Sequence, residues 1–248
     1  MYRSLIVVLF LSGTIALAQS VSTPALTPAT VISEVVSSFS NAPVHSVQLS
    51  GTAHAYAGSD QPSGTFSYEI NSTGERTLRL DTGTLGGTYS AGAFGDPTSC
   101  QHVDSVGTVH AVAEHNCSLP LDWVVPMLGL QIQAANLNAS LAEITDNTGA
   151  PLHKLTFGRT LTNTSSSFAI QTIKHLSEMD FKVDPSTFLL KSIDFTEHPE
   201  ENASIDFPVE VRYSDYRNVN GAALAFHIQK YVRGGLTLDL QVETAVIQ

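Results

Sequence analysis

The feature that most constrains this fold is the alternation of apolar and polar residues over the last forty positions. The apolar members are Val209, Val211, Tyr213, Leu224, Phe226, Ile228, Leu236, Leu238, Leu240 and Val242. A period of two places these side chains on one face of each strand. Asn220-Gly221 supplies two residues that accept positive φ, as a type I′ hairpin requires, and Gly234-Gly235 marks the next turn. The pattern predicts antiparallel strands in a meander.

The same period continues back to Val44. Alternation is clear at 66–70 and 76–80, and further strands are predicted at 47–56, 108–114, 139–145, 152–160, 167–174 and 188–196. Turns are expected at Asn147-Thr148-Gly149 and at Asp184-Pro185. We predict a mainly β fold, a curved antiparallel sheet or half-barrel of about ten or eleven strands, with an N-terminal helix and a short central helical segment.

An amphipathic helix is predicted before the first strand. Thr27 is a suitable N-cap, and Pro28 suits the first helical position, where its missing N–H costs nothing. The residues at i, i+3, i+4 and i+7 are Ile32, Val35, Val36 and Phe39, which form one apolar stripe. The helix is expected to end near Asn41-Ala42-Pro43.

The segment 120–130 breaks the alternation. It is strongly apolar, contains the only Trp of the chain, and carries Pro120 and Pro126, which limit it to one or two helical turns. Two interpretations stay open, a short helix buried in the core and a mobile apolar lid. The residues proposed for a lid or cavity wall are Trp123, Val124, Val125, Met127 and Leu128, with Ile32, Val35, Val36 and Phe39 packing beside them.

Two short helices cannot cover the predicted sheet. Eleven strands at a spacing of about 4.8 Å make a sheet roughly 50 Å wide, whereas a helix with its side chains is about 10–12 Å across. The remaining face is closed by curling into a half-barrel, by stacking two sheets, or by a ligand. A half-barrel leaves an apolar hollow, whereas a sandwich fills itself with side chains.

The N-terminal residues predict export. Arg3 precedes an apolar run from Leu5 to Leu11, and Ala16-Leu17-Ala18 before Gln19 is an A-x-A cleavage pattern. We expect residues 1–18 to be a signal peptide, residues 19–27 a flexible leader, and residues 28–248 a single β-rich domain that is periplasmic or secreted.

The chain contains two cysteines, Cys100 and Cys117. In an exported protein such a pair predicts one disulfide, which would close a loop of about 16 residues and stabilise the fold by roughly 3 kcal/mol. The alternative is a zinc site that adds His102 and His115, although C-x-H and H-x-C are not the usual spacings of structural zinc.

The remaining chemistry is sparse. The chain has 12 Lys and Arg against 23 Asp and Glu, a net charge of −11, and no basic run, which argues against a nucleic-acid partner. No H-E-x-x-H motif occurs. A metal site at His102, His110 and His115 would require a hairpin that brings the three side chains together. The simpler explanation of this cluster is that the histidines lie at the surface or in loops. We predict no catalytic residue, no metal and no cofactor, and therefore a protein that is not an enzyme.

The order of elements carries a resemblance. The predicted elements begin with an export signal, an amphipathic helix, antiparallel strands and a short Trp/Pro segment. They continue with Phe181–Leu190, which forms a strand-turn-strand around Asp184-Pro185, and with Val211–Gly221, a tyrosine-rich strand that runs into Asn-Gly. With these features residues 28–246 resemble the LolA/LppX-like half-barrel superfamily of bacterial periplasmic lipoprotein and lipid carriers. The resemblance implies a curved sheet that holds helices over an apolar cavity for acyl chains. The Cys100 and Cys117 pair departs from that pattern.

The first hypothesis is therefore a monomeric exported protein that binds an apolar small molecule or an acyl chain, with a transient protein partner in the envelope. The alternative is a self-filled β-sandwich that binds carbohydrate through exposed Tyr56, Tyr89 and Tyr216. A secreted hydrolase is the third hypothesis.

The export prediction is tested by the N-terminus of the processed chain. When the full chain is expressed in a Gram-negative host, intact-mass measurement of the periplasmic or secreted fraction should give a chain that begins at Gln19. A chain recovered only with residues 1–18 still attached would contradict the prediction.

Overall fold

The computed structural model describes residues 26–94, 96, 99–117, 119–133, 138–159 and 166–248. The predicted signal peptide and most of the predicted leader lie outside these residues. The helices are α1 (Pro28–Phe39), α2 (Pro126–Gln133) and α3 (Ser167–Ser177), and Gly83–Leu85 forms one turn of 3-10 helix. The strands are β1 (Ser46–Ala55), β2 (Ser63–Asn71), β3 (Arg76–Asp81), β4 (Gly87–Ala91), β5 (Gln101–Asp104), β6 (Val109–Ala111), β7 (Asn138–Thr145), β8 (Pro151–Gly158), β9 (Met179–Val183), β10 (Leu190–Glu197), β11 (Phe207–Val219), β12 (Ala222–Val232) and β13 (Gly235–Ile247).

All thirteen described strands lie in one antiparallel sheet, in the order β6-β5-β4-β3-β2-β1-β13-β12-β11-β10-β9-β8-β7. The sheet is curved and does not close, so the predicted mainly β half-barrel is confirmed. The single sheet contradicts the β-sandwich alternative. The predicted strand number was too low, because β4 lies in a glycine-rich stretch that shows little alternation and β5 has only four residues.

This order gives the chain an unusual path. The first half runs outward from β1 at the centre to β6 at one edge, and the second half returns from β7 at the opposite edge to β13, which pairs with β1. The connection between β6 and β7, whose described residues are 112–117 and 119–133, must therefore pass from one edge of the sheet to the other. We call it the crossover segment. It contains α2, the short helix predicted around Pro126, which begins at that proline.

The alternation of each strand sends one set of side chains into a single core. In β12 the pattern is fully regular from Ala222 to Gln229, and in β2 it covers Phe66, Tyr68 and Ile70. The core continues into α1, where Val31, Val35 and Phe39 are buried, and α1 contacts α2 and β12. Helices α1 and α2 and the rest of the crossover segment therefore cover one face of the sheet.

The capping signals of α1 are confirmed. The Thr27 hydroxyl accepts from the Thr30 backbone N–H, and the Thr30 hydroxyl accepts from the Thr27 backbone N–H. Pro28 lies in the first turn. The helix ends at Phe39, slightly before the predicted Asn41-Ala42-Pro43.

The strand predicted at 167–174 was wrong, because this stretch is helix α3. Phe168 and Ile170 suggested alternation, but their side chains are 77% and 37% exposed, so they do not mark a buried strand face. The helical signals were the Ser166 hydroxyl, which accepts from the Ala169 N–H, and the basic residues Lys174 and His175 in the last turn.

The predicted hairpin turns are present, one of them shifted. Asn220 and Gly221 have φ of 49° and 91°, as the Asn-Gly pair predicted. The next loop is Arg233-Gly234, with φ of 53° and 80°, because Gly235 already pairs with Val232. Among the described residues, no helix combines the length and the apolar character needed to cross a bilayer.

The different burial of two phenylalanines predicts that their substitution by Ala changes the free energy of unfolding by very different amounts. Phe181 in β9 is fully buried and packs edge-to-face against Phe157 at 5.0 Å between ring centroids, whereas Phe168 in α3 is 77% exposed. Phe181→Ala should lower the free energy of unfolding by about 3–5 kcal/mol, and the matched Phe168→Ala should change it by less than about 0.5 kcal/mol. Urea unfolding followed by circular dichroism measures both values, and equal effects would contradict the assigned core.

Candidate ligand-binding cavity

An open cavity of about 830 Å³ lies between the crossover segment and the sheet, mainly at strands β1–β6. Its apolar wall includes Leu78, Leu80, Leu85, Leu119, Leu121 and Leu238. Leu78 and Leu80 come from β3 and Leu238 from β13, while Leu119 and Leu121 come from the crossover segment. The side chains of the protein therefore leave a hollow beneath residues 119–124, as the half-barrel hypothesis requires.

A buried carboxylate holds the crossover segment over this hollow. Asp122 is 4% exposed, and its Oδ2 accepts from the Tyr68 hydroxyl at 2.7 Å and from the backbone N–H groups of Val124 and Val125 at 2.7 and 2.8 Å. Its Oδ1 lies 3.3 Å from Arg76 Nε. One side chain thus joins β2 and β3 to the residues directly before α2. Its negative charge is compensated by the Arg76 guanidinium and by three donors.

Two buried tyrosines complete this attachment. Burial, and secondarily the Asp122 carboxylate, raises the pKa of Tyr68 well above its ordinary value, and burial likewise raises the pKa of Tyr213. Both phenols are therefore neutral donors at physiological pH. The Tyr213 hydroxyl donates to the Trp123 carbonyl at 2.6 Å, so β11 holds the crossover segment from the other half of the sheet.

The half-buried indole of Trp123 lies at the cavity wall beside an ion pair. Lys230 Nζ is 5.0 Å from the Trp123 ring centroid and 2.6 Å from Glu197 Oε1. The ammonium group is thus paired with a carboxylate and also contacts the aromatic face. The cations Arg76 and Lys230 in the wall both have a carboxylate partner.

Aromatic and imidazole rings line the opposite end of the cavity. The rings of Tyr89 and His102 are stacked at 4.1 Å between centroids, and His110 follows at 5.7 Å from His102. Burial lowers the pKa of His102, so this imidazole is neutral at pH 7. The hydrogen bond from His110 is the main reason that the pKa of Asp104 falls to about 2. The rings of Tyr89, His102 and His110 all line the hollow.

The residues predicted for ligand contact are not all in one place. Trp123 and Val124 line the large cavity. Phe39, Val125 and Met127, together with Val124, line a narrow gap of about 20 Å³ between the helices and the sheet. Ile32, Val35 and Leu128 are buried in the core, and the half-buried Val36 packs against it.

The two cysteines form a disulfide, with their Cα atoms 6.1 Å apart, and both line the cavity. The zinc alternative with His102 and His115 is thereby wrong, because no thiol is left. His115 lies instead beside His198, at 5.8 Å between ring centroids, while His102 and His110 are neighbours across the β5–β6 pair.

Of the three tyrosines that the carbohydrate alternative needs at the surface, one is exposed and two are half-buried. Tyr216 was predicted to be exposed, but its ring is half-buried and its hydroxyl donates to the Leu190 carbonyl at 2.8 Å. Tyr89 is 43% exposed, and Tyr56 is half-buried in the cavity wall.

Sequence reasoning missed the residues that position the crossover segment. Arg76 and Tyr68 were visible only as members of alternating strands, and Asp122 only as a polar interruption of an apolar run. The one available signal was Asp122 itself, since a carboxylate among large apolar residues needs partners when it is buried.

Comparison with solved structures shows the same fold. A LolA superfamily protein from Nitrosomonas europaea matches with a TM-score of 0.55 and 11% identity, over 90% of this chain and 94% of that one. A putative outer membrane lipoprotein-sorting protein domain from Vibrio parahaemolyticus matches with a TM-score of 0.54 and 9% identity, over 89% and 92%. A DUF1329 family protein from Desulfovibrio piger matches with a TM-score of 0.55 and 10% identity, over 89% and 92%.

No family model and no curated protein matches the sequence. The predicted resemblance to the LolA superfamily is confirmed at the level of the fold.

The Asp122 network predicts a strong effect on stability. Asp122→Ala would leave the Arg76 charge and three donors without their partner, so we expect a loss of about 3–5 kcal/mol in the free energy of unfolding. The matched control is Asp81→Ala, which removes an Asp from the exposed Arg79–Asp81 pair and should change the free energy of unfolding much less than Asp122→Ala does. Denaturant unfolding gives both values. A small effect of Asp122→Ala would show that Asp122 does not hold the crossover segment.

Proposed function

We propose that this protein is an exported, non-enzymatic carrier that holds an acyl chain or another apolar small molecule in the cavity beneath the crossover segment. The observation that carries the proposal is the hollow of about 830 Å³ with its leucine-rich wall. This volume lies within the range of about 300–1,000 Å³ that is typical of small-molecule sites.

The apolar wall is sufficient for useful affinity. Burying ten methylenes would contribute roughly 8 kcal/mol, which corresponds to a dissociation constant near 1 μM before the costs of ordering the ligand. Arg76 and Lys230 are already paired with Asp122 and Glu197, so binding to the leucines does not require an unpaired charge to be desolvated.

The predicted lid residues take different parts in this proposal. Trp123 and Val124 contact the ligand, because they line the cavity. Val125, Met127 and Leu128 fix α2, and the α1 stripe of Ile32, Val35, Val36 and Phe39 supports α2 from its side. The wall of the cavity is then held by a packed layer of apolar side chains.

The proposed location is the periplasm or the extracellular space. It rests on the signal peptide predicted for residues 1–18 and on the fold shared with a protein described as a lipoprotein-sorting domain. A carrier of this kind acts as a monomer and delivers its ligand to a transient protein partner in the envelope.

The proposal is tested by ligand recovery and by blocking the cavity. Purified protein should release an apolar compound into organic solvent, detectable by mass spectrometry, and should take up a fluorescent fatty acid. Ala111 in edge strand β6 lines the cavity, so Ala111→Trp should weaken uptake at least about tenfold, a change of 1.4 kcal/mol.

The matched control is Ala142→Trp, at an exposed alanine in the opposite edge strand β7, which should bind as the parent protein does. An empty parent protein that also fails to take up the fatty acid would contradict the carrier function. Equal affinity of the parent and both variants would contradict the assignment of the site to this cavity.

A further inference from the structure

The large cavity has carboxylates in its wall as well as leucines. Glu197 at the end of β10 and Glu200 in the loop that follows both line it. Leu78 and Leu80 line it from β3, and five strands separate β3 from β10 in the sheet order. The leucines and these two carboxylates therefore come from different halves of the curved sheet. A ligand in the cavity meets an apolar wall from one half and carboxylate oxygens from the other.

The charged side chains that line the cavity do not balance. Its two cations each have one carboxylate partner, because Arg76 lies 3.3 Å from Asp122 and Lys230 lies 2.6 Å from Glu197. Glu200 is a third lining carboxylate. Among the described residues that line the cavity, two Lys and Arg side chains therefore face three Asp and Glu side chains, which leaves one negative charge.

The excess charge is located at Glu200. One of its oxygens accepts from the backbone N–H of Ala113, and the other accepts from the Asn116 side-chain amide at 3.0 Å. Both donors are uncharged, so these hydrogen bonds orient the carboxylate without neutralising it.

The imidazoles of the wall do not reverse this balance. His102 is neutral, as its lowered pKa indicates. His110 Nε2 lies 3.0 Å from Asp104 Oδ2, and His198 Nδ1 lies 3.4 Å from Asp206 Oδ1. A proton on either of these two rings is therefore matched by a carboxylate that does not itself line the cavity.

The negative charge acts beyond its immediate neighbours. Burial is the main cause of the raised pKa of Tyr89, and the charge of the Glu197 carboxylate raises it further. Tyr89 lies on β4 and Glu197 on β10. The field of this carboxylate therefore reaches the cavity wall in the other half of the sheet.

These charges decide which headgroup suits the cavity. A carboxylate or phosphate headgroup would be repelled by Glu197 and Glu200, whereas an ammonium group would be attracted and could donate hydrogen bonds to them. Glu200 is exposed and Glu197 is half-buried. An ammonium group beside them therefore keeps part of its hydration while the alkyl chain enters the hollow, which avoids the cost of burying a charge.

We propose that the ligand of this cavity is an amphiphile with an apolar chain and a cationic headgroup, such as a long-chain amine. The inference rests on the proposed carrier function and names its ligand class. Glu200, together with Glu197, is the specificity-determining residue. A fatty acid still binds through its chain, but more weakly than the amine of the same length.

The test compares tetradecylamine with tetradecanoate at neutral pH, as competitors that displace the fluorescent fatty acid from the full chain. Both are used below their critical micelle concentrations and at low ionic strength. We expect the amine to bind at least about fivefold more tightly, since surface charge interactions of this kind contribute up to about 1 kcal/mol. Added salt should reduce the ratio of the two affinities, because the carboxylates are partly exposed.

Two variants and a control assign the selection to particular residues. Glu200→Gln should weaken amine binding, tighten acid binding and lower the affinity ratio at least about twofold. Glu197→Gln leaves Lys230 without its carboxylate partner and should favour the acid further. The matched control is Glu143→Gln, at an exposed position of edge strand β7 outside the cavity wall, which should leave the ratio unchanged.

The outcomes separate this inference from the carrier function. Failure of both competitors and of the fluorescent fatty acid to bind would overturn the carrier function and the ligand class with it. Equal affinity for the two competitors, tighter binding of tetradecanoate, or a ratio that Glu200→Gln does not change would overturn the headgroup selection alone.

Discussion

The buried Asp122 carboxylate is the interaction on which the arrangement of this protein depends. The topology sends the chain from one edge of the sheet to the other, and outside α2 the described residues of this connection form neither helix nor strand. Asp122 supplies the attachment by binding Tyr68 of β2, Arg76 of β3 and two backbone N–H groups before α2. Because the carboxylate has a cationic partner and three hydrogen-bond donors, it can lie at the boundary of the hollow without the cost of an unpaired buried charge.

That attachment divides the covered face into two parts. Beneath α1 and α2 the side chains pack around a narrow gap of about 20 Å³. Beneath residues 119–124 the same segment leaves about 830 Å³. The disulfide and the paired cations Arg76 and Lys230 lie in the wall of the larger space beside its leucines, so covalent and ionic contacts hold that wall in place. This combination supports a role in holding a ligand.

Histidines illustrate how tertiary structure regroups residues that look alike in sequence. His102 and His110 meet across neighbouring strands, but His115 lies against His198, which is more than eighty positions away. His198 in turn lies beside His175 of α3. A spacing rule could not find this contact, because His198 lies in the loop between β10 and β11 and His175 lies in α3, and tertiary packing brings the two together.

The sequence by itself determined most of the strands, the hairpin at Asn220-Gly221, the capped helix α1 and the disulfide, because alternation, turn chemistry, capping and cysteine count are local signals. It also indicated that two short helices leave part of the sheet uncovered. Only the tertiary structure decided that the sheet curls instead of stacking, that 167–174 is helical, and that Asp122 pairs with Arg76. These outcomes depend on contacts between residues far apart in the chain, whose energies no local pattern encodes.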